Sequence, residues 1–91
     1  MLRLVWGAEA LGDLCRIIDY IADRNIAAAQ RLEEAIRHTA EQLPGHPYLY
    51  RPGRVAGTRE AVVHPNYILV DRVGDEAVEV VAVLHARQQY P

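Results

Sequence analysis

The most constraining feature of this sequence is an uninterrupted apolar run, Val80–Leu84, near the C-terminal end. Five consecutive apolar residues cannot alternate between a buried and a solvated face, so the run predicts a strand covered on both faces. The strand extends back to Ala77, and the loop Gly74–Glu76 connects it to a preceding strand, Tyr67–Val73. A third β-rich segment, Thr58–His64, comes just before. Three strands joined by short turns predict an antiparallel meander.

The first half of the chain has a helical periodicity after a short strand. Leu2, Leu4 and Trp6 alternate with other residues and predict the strand, which ends at Gly7. Apolar residues then recur at three- and four-residue steps, as in an amphipathic helix, at Leu11, Leu14, Cys15, Ile18, Ile21 and Ala22. After Asn25, a residue suited to a helix cap, a second such helix runs through Ala28, Ala29, Leu32, Ile36, Ala40 and Leu43 and ends at Pro44-Gly45. Two adjacent helices with a very short joint predict a helical hairpin.

The predicted fold is α+β with the order β-α-α-β-β-β, in a single domain over residues 1–91. So short a chain cannot build two hydrophobic cores. The apolar face of the antiparallel sheet needs a cover, and the helical hairpin is the element available to pack against it. We expect the first strand at an exposed edge, a loop over residues 48–57, and a polar tail or short edge extension over residues 86–91.

Composition narrows the classes of function. Hydrophobic residues make up 51% of the chain, which favours a globular domain, and the net charge of −2 argues against a general nucleic-acid binder. Residues 43–58 and 80–91 contain no acid but do contain arginine, so both segments are locally basic. No stretch has the length of a membrane span or the pattern of a signal peptide, and we expect a cytoplasmic protein with a buried, inert Cys15. His64 and His85 lie outside any metal-ligand spacing, so no metal or cofactor is expected.

Several strings of residues resemble one protein family in their order and spacing. They are Leu4-Val5-Trp6, Ile18-Asp19-Tyr20-Ile21, Gly53-Arg54-Val55, His64-Pro65-Asn66-Tyr67-Ile68-Leu69-Val70 and the ending Val83-Leu84-His85-Ala86-Arg87-Gln88-Gln89-Tyr90-Pro91. Together with the element order they resemble the RelE/ParE superfamily of toxins over essentially the whole chain. The resemblance implies a growth-arresting toxin of a type II toxin–antitoxin module, neutralised in a hetero-oligomer by a ParD-like or related antitoxin.

The superfamily contains two activities: RelE-like members cut messenger RNA on the ribosome, and ParE-like members poison DNA gyrase. RelE-like toxins place an arginine directly after the aromatic residue or histidine that opens the middle strand. Here Ile68 follows Tyr67, and a hydrocarbon side chain cannot donate hydrogen bonds to a phosphate. The chain also has no lysine, and arginine stays charged and cannot carry the proton. The sequence therefore predicts a ParE-like toxin that inhibits DNA gyrase and blocks replication, without a catalytic site of its own.

The residues predicted to contact the target are Arg59, His85, Arg87, Gln88 and Tyr90. Arg59 lies in the first meander strand just after a Gly-Thr turn, and Arg87 lies beyond the last strand. If the outer strands present these ends on one side of the sheet, both guanidinium groups could serve one anionic surface. These residues also have structural interpretations. Arg59 and Arg87 are then solvated arginines at strand ends, His85 anchors the tail by a hydrogen bond, and the ring of Tyr90 packs over the sheet edge.

A second set of residues has core positions by default, and some of its members are predicted to form the edges of the antitoxin groove. Its members share apolar character and core periodicity, and they are Trp6, Leu11, Leu14, Ile18, Leu32 and Ile36. In this family the C-terminal segment of the antitoxin folds on binding, laying an amphipathic helix into an apolar groove and adding extended chain beside the sheet. The N-terminal strand is the predicted site of strand pairing.

Two alternatives stay open. In the first, His85 and Tyr90 transfer protons while Arg59 and Arg87 hold phosphate, which describes a ribosome-dependent mRNA endoribonuclease. In the second, the chain is a degenerate member that retains only antitoxin binding, because Asp71 stands where this family usually has an aromatic residue.

Overall fold

Two helices form a hairpin over one face of a five-stranded sheet in the computed structural model, which describes residues 2–91. The elements are β1 (Arg3–Trp6), α1 (Ala8–Ala22), α2 (Ile26–Gln42), a 3₁₀ turn (Leu43–Gly45), β2 (Arg51–Pro52), β3 (Arg59–His64), β4 (Tyr67–Val73) and β5 (Ala77–His85). The strand order in the sheet is β1-β5-β4-β3-β2. The α+β class and the antiparallel meander of β3, β4 and β5 are confirmed.

Two details of the sheet differ from the sequence prediction. β1 pairs in parallel with β5, from Arg3 opposite Ala77 to Trp6 opposite Val80, so the sheet is mixed rather than antiparallel throughout. The chain between these two strands, which comprises the helical hairpin and β2 to β4, supplies the long connection that a parallel pair requires. The predicted loop also contains the two-residue strand β2, which pairs antiparallel with β3.

Local chemistry sets the ends of the helices. The Asn25 side chain accepts a hydrogen bond from the backbone N–H of Ala28 at 3.0 Å, which confirms the predicted cap of α2. Gly7 permits a close approach at the junction of β1 and α1, because a Cβ atom there would lie 3.1 Å from the backbone carbonyl oxygen of Val80 and 2.8 Å from the movable Oε2 of Glu79. Neither described helix is long and apolar enough to cross a membrane.

The main core lies between the helical hairpin and the sheet. Its buried residues come from both helices and the meander, and they include Ala10, Leu14, Leu32, Ile36, Ala40, Leu43, Ala61, Leu69, Val78, Val80 and Val83. Cys15, predicted to be buried, is exposed. Leu14 occupies the core-facing position, and successive residues of a helix point about 100° apart, so Cys15 faces solvent.

A second, smaller apolar cluster lies on the opposite face of the sheet. Ile68 and Val70 of β4 are buried there against Ala82 and Leu84 of β5, and the half-buried ring of Tyr90 packs on them. β5 is therefore covered on both faces, as its apolar run predicts. The tail turns around the end of the sheet, where the backbone N–H of Ala86 donates to the carbonyl of Asn66 at 2.7 Å.

α1 also protects the part of β5 that β1 leaves uncovered. β1 pairs only with Ala77–Val80, so the outer edge of β5 beyond Val80 lacks a neighbouring strand. The carboxylate of Asp13 accepts a hydrogen bond from the backbone N–H of Val83 at 3.0 Å, and the side-chain carbonyl of Gln88 accepts one from the N–H of His85 at 3.2 Å. Helix and tail thus close this edge to a further strand.

Asp13→Ala should lower the free energy of unfolding by about 1–3 kcal/mol, because it leaves the buried N–H of Val83 without an acceptor. Asp13→Asn keeps an acceptor oxygen and should lose less than half as much. The ion pair of Asp13 with the exposed Arg16 contributes little, so Arg16→Ala is the matched control. Urea unfolding of the three variants measures the difference. An equal loss in the alanine and asparagine variants would contradict this role for Asp13.

Candidate functional site

Three aromatic and imidazole rings form a row across one end of the meander. His64 of β3 pairs with Tyr67 of β4, which pairs with His85 of β5. The ring centroids of His64 and Tyr67 are 5.8 Å apart, and those of Tyr67 and His85 are 5.4 Å apart in an edge-to-face arrangement. Tyr67 is thus the centre of this row, a position that the sequence analysis did not single out.

Backbone hydrogen bonds set the tautomer of both histidines. Nδ1 of His64 accepts from the N–H of Asn66 at 3.0 Å, and Nδ1 of His85 accepts from the N–H of Arg87 at 3.1 Å. A neutral ring that accepts at Nδ1 carries its hydrogen on Nε2. The outer nitrogen of each ring is therefore a hydrogen-bond donor and has no lone pair with which to accept a proton.

A shallow cleft of about 270 Å³ lies on the helix side of this row, and it brings together two of the predicted target-binding residues. His85 and Gln88 line it together with Arg16, Ile17, Tyr20, Tyr67 and Val83. Arg87, in the turn after β5, is exposed. Among the described residues, no group of three or more His, Cys, Asp or Glu side chains is arranged to hold a metal ion.

The opposite face of the sheet is apolar at Ile68, the position at which RelE-like toxins have an arginine. Ile68 is only 4% exposed, and its neighbours are Val70, Ala82 and Leu84 beneath the ring of Tyr90. The predicted target-binding residue Tyr90 therefore packs on this face, away from the cleft that contains His85. An anionic group placed against this cluster would meet hydrocarbon side chains.

A buried carboxylate holds the tail in this position. Glu60, 4% exposed, accepts hydrogen bonds from the backbone N–H and Nε of Arg54 at 2.9 and 3.0 Å, and Arg51 lies 3.4 Å away. Burial by itself raises the pKa of Glu60, but these contacts with Arg54 and Arg51 outweigh it and lower the pKa. Arg54 also donates to the carbonyl of Gln88 at 3.3 Å. The one indication of this cluster in the sequence is that residues 43–58 contain Arg51 and Arg54 but no acid of their own.

Arg59 lies at the other end of the sheet from His85 and Arg87, so the expected shared anionic surface does not form. Arg59 pairs with Asp71, four residues along β4 from Tyr67, which places it roughly 13 Å from the row of rings. Its guanidinium donates to the carbonyl of Tyr50 at 2.8 Å and lies 4.8 Å from the centre of the Tyr48 ring. β3 and β5 run in the same direction, so the start of one and the end of the other must be far apart.

The residues predicted to border the antitoxin groove divide into two groups. Leu14 and Ile36 are at most 2% exposed within the main core, so they present no surface to a partner. Leu32 is 5% exposed and contributes to the lining of one surface cleft. These three residues have the structural role that their core periodicity predicts, because the helical hairpin uses them to cover the sheet. Trp6 and Ile18 are half-buried beside that core, and Leu11 is 41% exposed.

Two edges of the sheet are open, and they differ in length. β1 lies at one edge, as expected, and its N–H groups at Arg3 and Gly7 bond inward to Glu76 and Val80 at 3.0 and 2.9 Å. Because successive residues of a strand point to opposite sides, Leu4 and Trp6 direct their backbone groups outward. The other edge is β2, which has only two residues and includes a proline without an N–H.

Asp71 is the one buried charged group whose side chain has no hydrogen-bond partner among the described residues. It is 0% exposed, and neither carboxylate oxygen accepts a hydrogen bond. The neighbouring Arg59 is engaged with Tyr50 instead. Burial raises the pKa of Asp71 from 3.8 to about 6, even though the charge of Arg59 acts in the opposite direction.

A two-helix hairpin over a mixed sheet with this strand order is the fold of the RelE/ParE toxins. A chain from the structure of the chromosomal ParDE toxin–antitoxin system of P. aeruginosa superposes on this chain with a TM-score of 0.83 at 20% identity. The match covers 93% of this chain and 96% of the other. The DinJ–YafQ complex of E. coli gives a TM-score of 0.68 at 13% identity, with 93% of each chain covered.

Sequence comparison narrows this class to one family. The family model of the ParE toxin of the type II toxin–antitoxin system parDE matches residues 4–90. The chain is also 38% identical to Toxin RelE2 of Caulobacter vibrioides over 88 residues, covering 94% of this chain and 97% of that protein. The chain belongs to the ParE toxin family of type II toxin–antitoxin systems.

Asp71→Asn should remove a pH dependence of stability. A carboxyl group whose pKa is raised in the folded state stabilises the fold only while protonated, and this contribution is lost as the pH rises from about 4 to above about 6. The variant should therefore exceed the natural chain in unfolding free energy by about 3 kcal/mol at pH 7.5, and the difference should shrink towards pH 4. Urea unfolding across this range tests it. A constant difference at all pH values would show that Asp71 is not the titrating group.

Proposed function

We propose that this type II toxin arrests growth in the cytoplasm by binding DNA gyrase and stalling replication, without cutting RNA, and that a cognate antitoxin neutralises it. The observation that carries the proposal is the buried position of Ile68. Cleavage at a ribose 2′-hydroxyl needs a cation that stabilises the charge developing on the phosphate. Ile68, Val70, Ala82 and Leu84 form instead an apolar cluster closed by Tyr90.

The arrangement of the histidines supports the same proposal. A general base must have a free lone pair within reach of the proton it removes. His64 and His85 both use Nδ1 to accept backbone N–H groups, which leaves Nε2 with a hydrogen. Such rings suit hydrogen bonding to a protein surface better than proton abstraction.

The proposed gyrase-contact surface is the end of β5 and the turn after it, formed by His85, Arg87 and Gln88. Arg87 is exposed and supplies the charge, while His85 and Gln88 line the cleft beside Tyr67. Tyr90 contributes by holding the tail against the sheet. Arg59 lies too far along the sheet to belong to this surface, and its contacts with Tyr48 and Tyr50 give it a structural role.

The row of His64, Tyr67 and His85 favours one alternative, a ribosome-dependent endoribonuclease. Three side chains able to exchange protons stand side by side, and a change of tautomer on binding RNA would free Nε2 of either histidine as a base. The two functions differ in whether RNA is cut.

The antitoxin is proposed to add a strand along β1. The edge of β5 is closed by Asp13 and Gln88, and β2 is short and contains Pro52, so β1 is the longest open edge of the described sheet. Trp6, Ile18 and Leu11 offer the partly exposed apolar surface on which the rest of the antitoxin segment packs.

Purified toxin should convert supercoiled plasmid to the linear form in the presence of gyrase and leave mRNA intact on translating ribosomes. Arg87→Gln should weaken gyrase binding by about tenfold, because it removes a charged hydrogen-bond donor. Arg72→Gln is the matched control, since this exposed arginine lies at the far end of β4, opposite Glu79. Site-specific cuts in the mRNA would overturn the proposal in favour of the endoribonuclease. Neither activity would indicate a toxin that only binds its antitoxin.

Antitoxin binding should slow hydrogen exchange at the backbone amides of Leu4 and Trp6 by at least about tenfold, because each gains a hydrogen bond to the added strand. The amides of Arg3 and Gly7 already bond inward and serve as internal controls. NMR of the free toxin and of the complex resolves the four amides. Protection that appears at residues 51–52 and not at β1 would refute strand addition at this edge.

A further inference from the structure

A second cleft, of about 360 Å³, lies between the helical hairpin and the turn that joins β3 to β4. Its lining residues are Ile21, Ala28, Arg31, Leu32, Ala35, His64, Asn66 and Tyr67. The cleft lies beside the proposed gyrase-contact surface, with only Tyr67 common to the linings of the two clefts, and its function does not depend on that proposal. No carboxylate belongs to this lining, although the chain as a whole is acidic.

Arg31 is the cation of this cleft, and it has no partner. Among the described residues, Arg16 and Arg37 form ion pairs with acids three or four positions away on their own helices, at 2.6 and 3.0 Å. Arg31 forms none, although Glu34 lies three positions after it on the same helix. An exposed guanidinium beside a cleft without acids provides an attractive site for an anionic group.

The β3–β4 turn adds further donors from the other wall. Nδ1 of His64 is occupied by the backbone N–H of Asn66, so Nε2–H is the free polar group of the ring. The side-chain amide of Asn66 contributes N–H groups as well. Arg31, His64 and Asn66 therefore offer donors from two sides of one cleft whose lining lacks a charged acceptor.

The remaining walls decide which kind of anion fits. Ile21, Ala28, Leu32 and Ala35 are aliphatic, and they make most of the surface of the cleft apolar. A phosphate group gains nothing from such walls, and it usually requires several cations or a helix N-terminus. A peptide side chain that combines an aliphatic group with a neighbouring carboxylate uses both kinds of wall.

We propose that this cleft is a docking site for an acidic–aliphatic segment of a partner protein, with an Asp or Glu carboxylate on Arg31, His64 and Asn66 and a Leu, Ile or Val side chain against Ile21 and Leu32. The segment is defined by this chemistry. It differs from the strand proposed to pair with β1, because the cleft binds side chains and not a sheet edge.

The direct test uses two peptides that differ in one charge, acetyl-Leu-Glu-Leu-amide and acetyl-Leu-Gln-Leu-amide, titrated into the isotope-labelled full chain. The Glu peptide should shift the NMR signals of the Asn66 side-chain amide, the Arg31 Nε–H and the Leu32 methyl groups in a saturable way. The Gln peptide should bind about fivefold more weakly, because it loses the charge-assisted hydrogen bonds.

Variants separate the cleft from general charge effects. Arg31→Gln should reduce the affinity for the Glu peptide to that for the Gln peptide, and it should not change the melting temperature, since Arg31 is exposed. Arg37→Gln removes the same charge from another turn of α2, outside the cleft, and should bind both peptides as the natural chain does.

Three results would overturn the proposal. They are equal affinity for the two peptides, an absence of saturable shifts at these residues, and displacement of the Glu peptide by an equal concentration of inorganic phosphate. The last result would assign the cleft to a phosphate ligand such as nucleic acid. None of these measurements involves gyrase, so failure here and failure of the proposed function are distinguishable.

Discussion

Burial of β5 on both faces is the constraint on which the rest of this structure depends. A strand in which Val80, Ala82, Val83 and Leu84 are all at most 2% exposed needs an apolar cover above and below the sheet. The helical hairpin covers one side, and only the C-terminal tail remains to cover the other. Tyr90 therefore packs on the sheet, and the Glu60 cluster holds the tail there through Arg54.

The same packing links stability to function. Tyr90 of the tail packs on the small apolar cluster of Ile68, Val70, Ala82 and Leu84. While the tail is packed there, this face of the sheet is closed to a large anionic ligand. The polar groups that are free for contacts are displaced to the rim, where the tail turns at His85 and Gln88. The packing of the tail that completes the fold therefore also closes the face of the sheet that contains Ile68 and leaves polar groups at its rim.

Two further polar features show how the chain controls its edges and its interior. The carboxylate of Asp13 accepts the backbone N–H of Val83, which lies beyond the end of β1. This hydrogen bond prevents a further strand from pairing with β5 there. Asp71 destabilises the fold, because its buried carboxylate accepts no hydrogen bond. The neighbouring Arg59 donates to the carbonyl of Tyr50 instead. So small a domain retains only a few kcal/mol of net stability, so that cost is substantial.

The sequence by itself determined the elements, because periodicity and turn residues are local properties: the bounds of β4, the cap at Asn25 and the two-sided burial of β5 could all be predicted from it. It also pointed to Ile68. Only the tertiary structure decided the parallel pairing of β1, the separation of Arg59 from Arg87, and the burial of Leu14 and Ile36 away from any partner. Strand direction and the division of an apolar face between core and surface depend on contacts between residues far apart in the chain, and no local pattern encodes them.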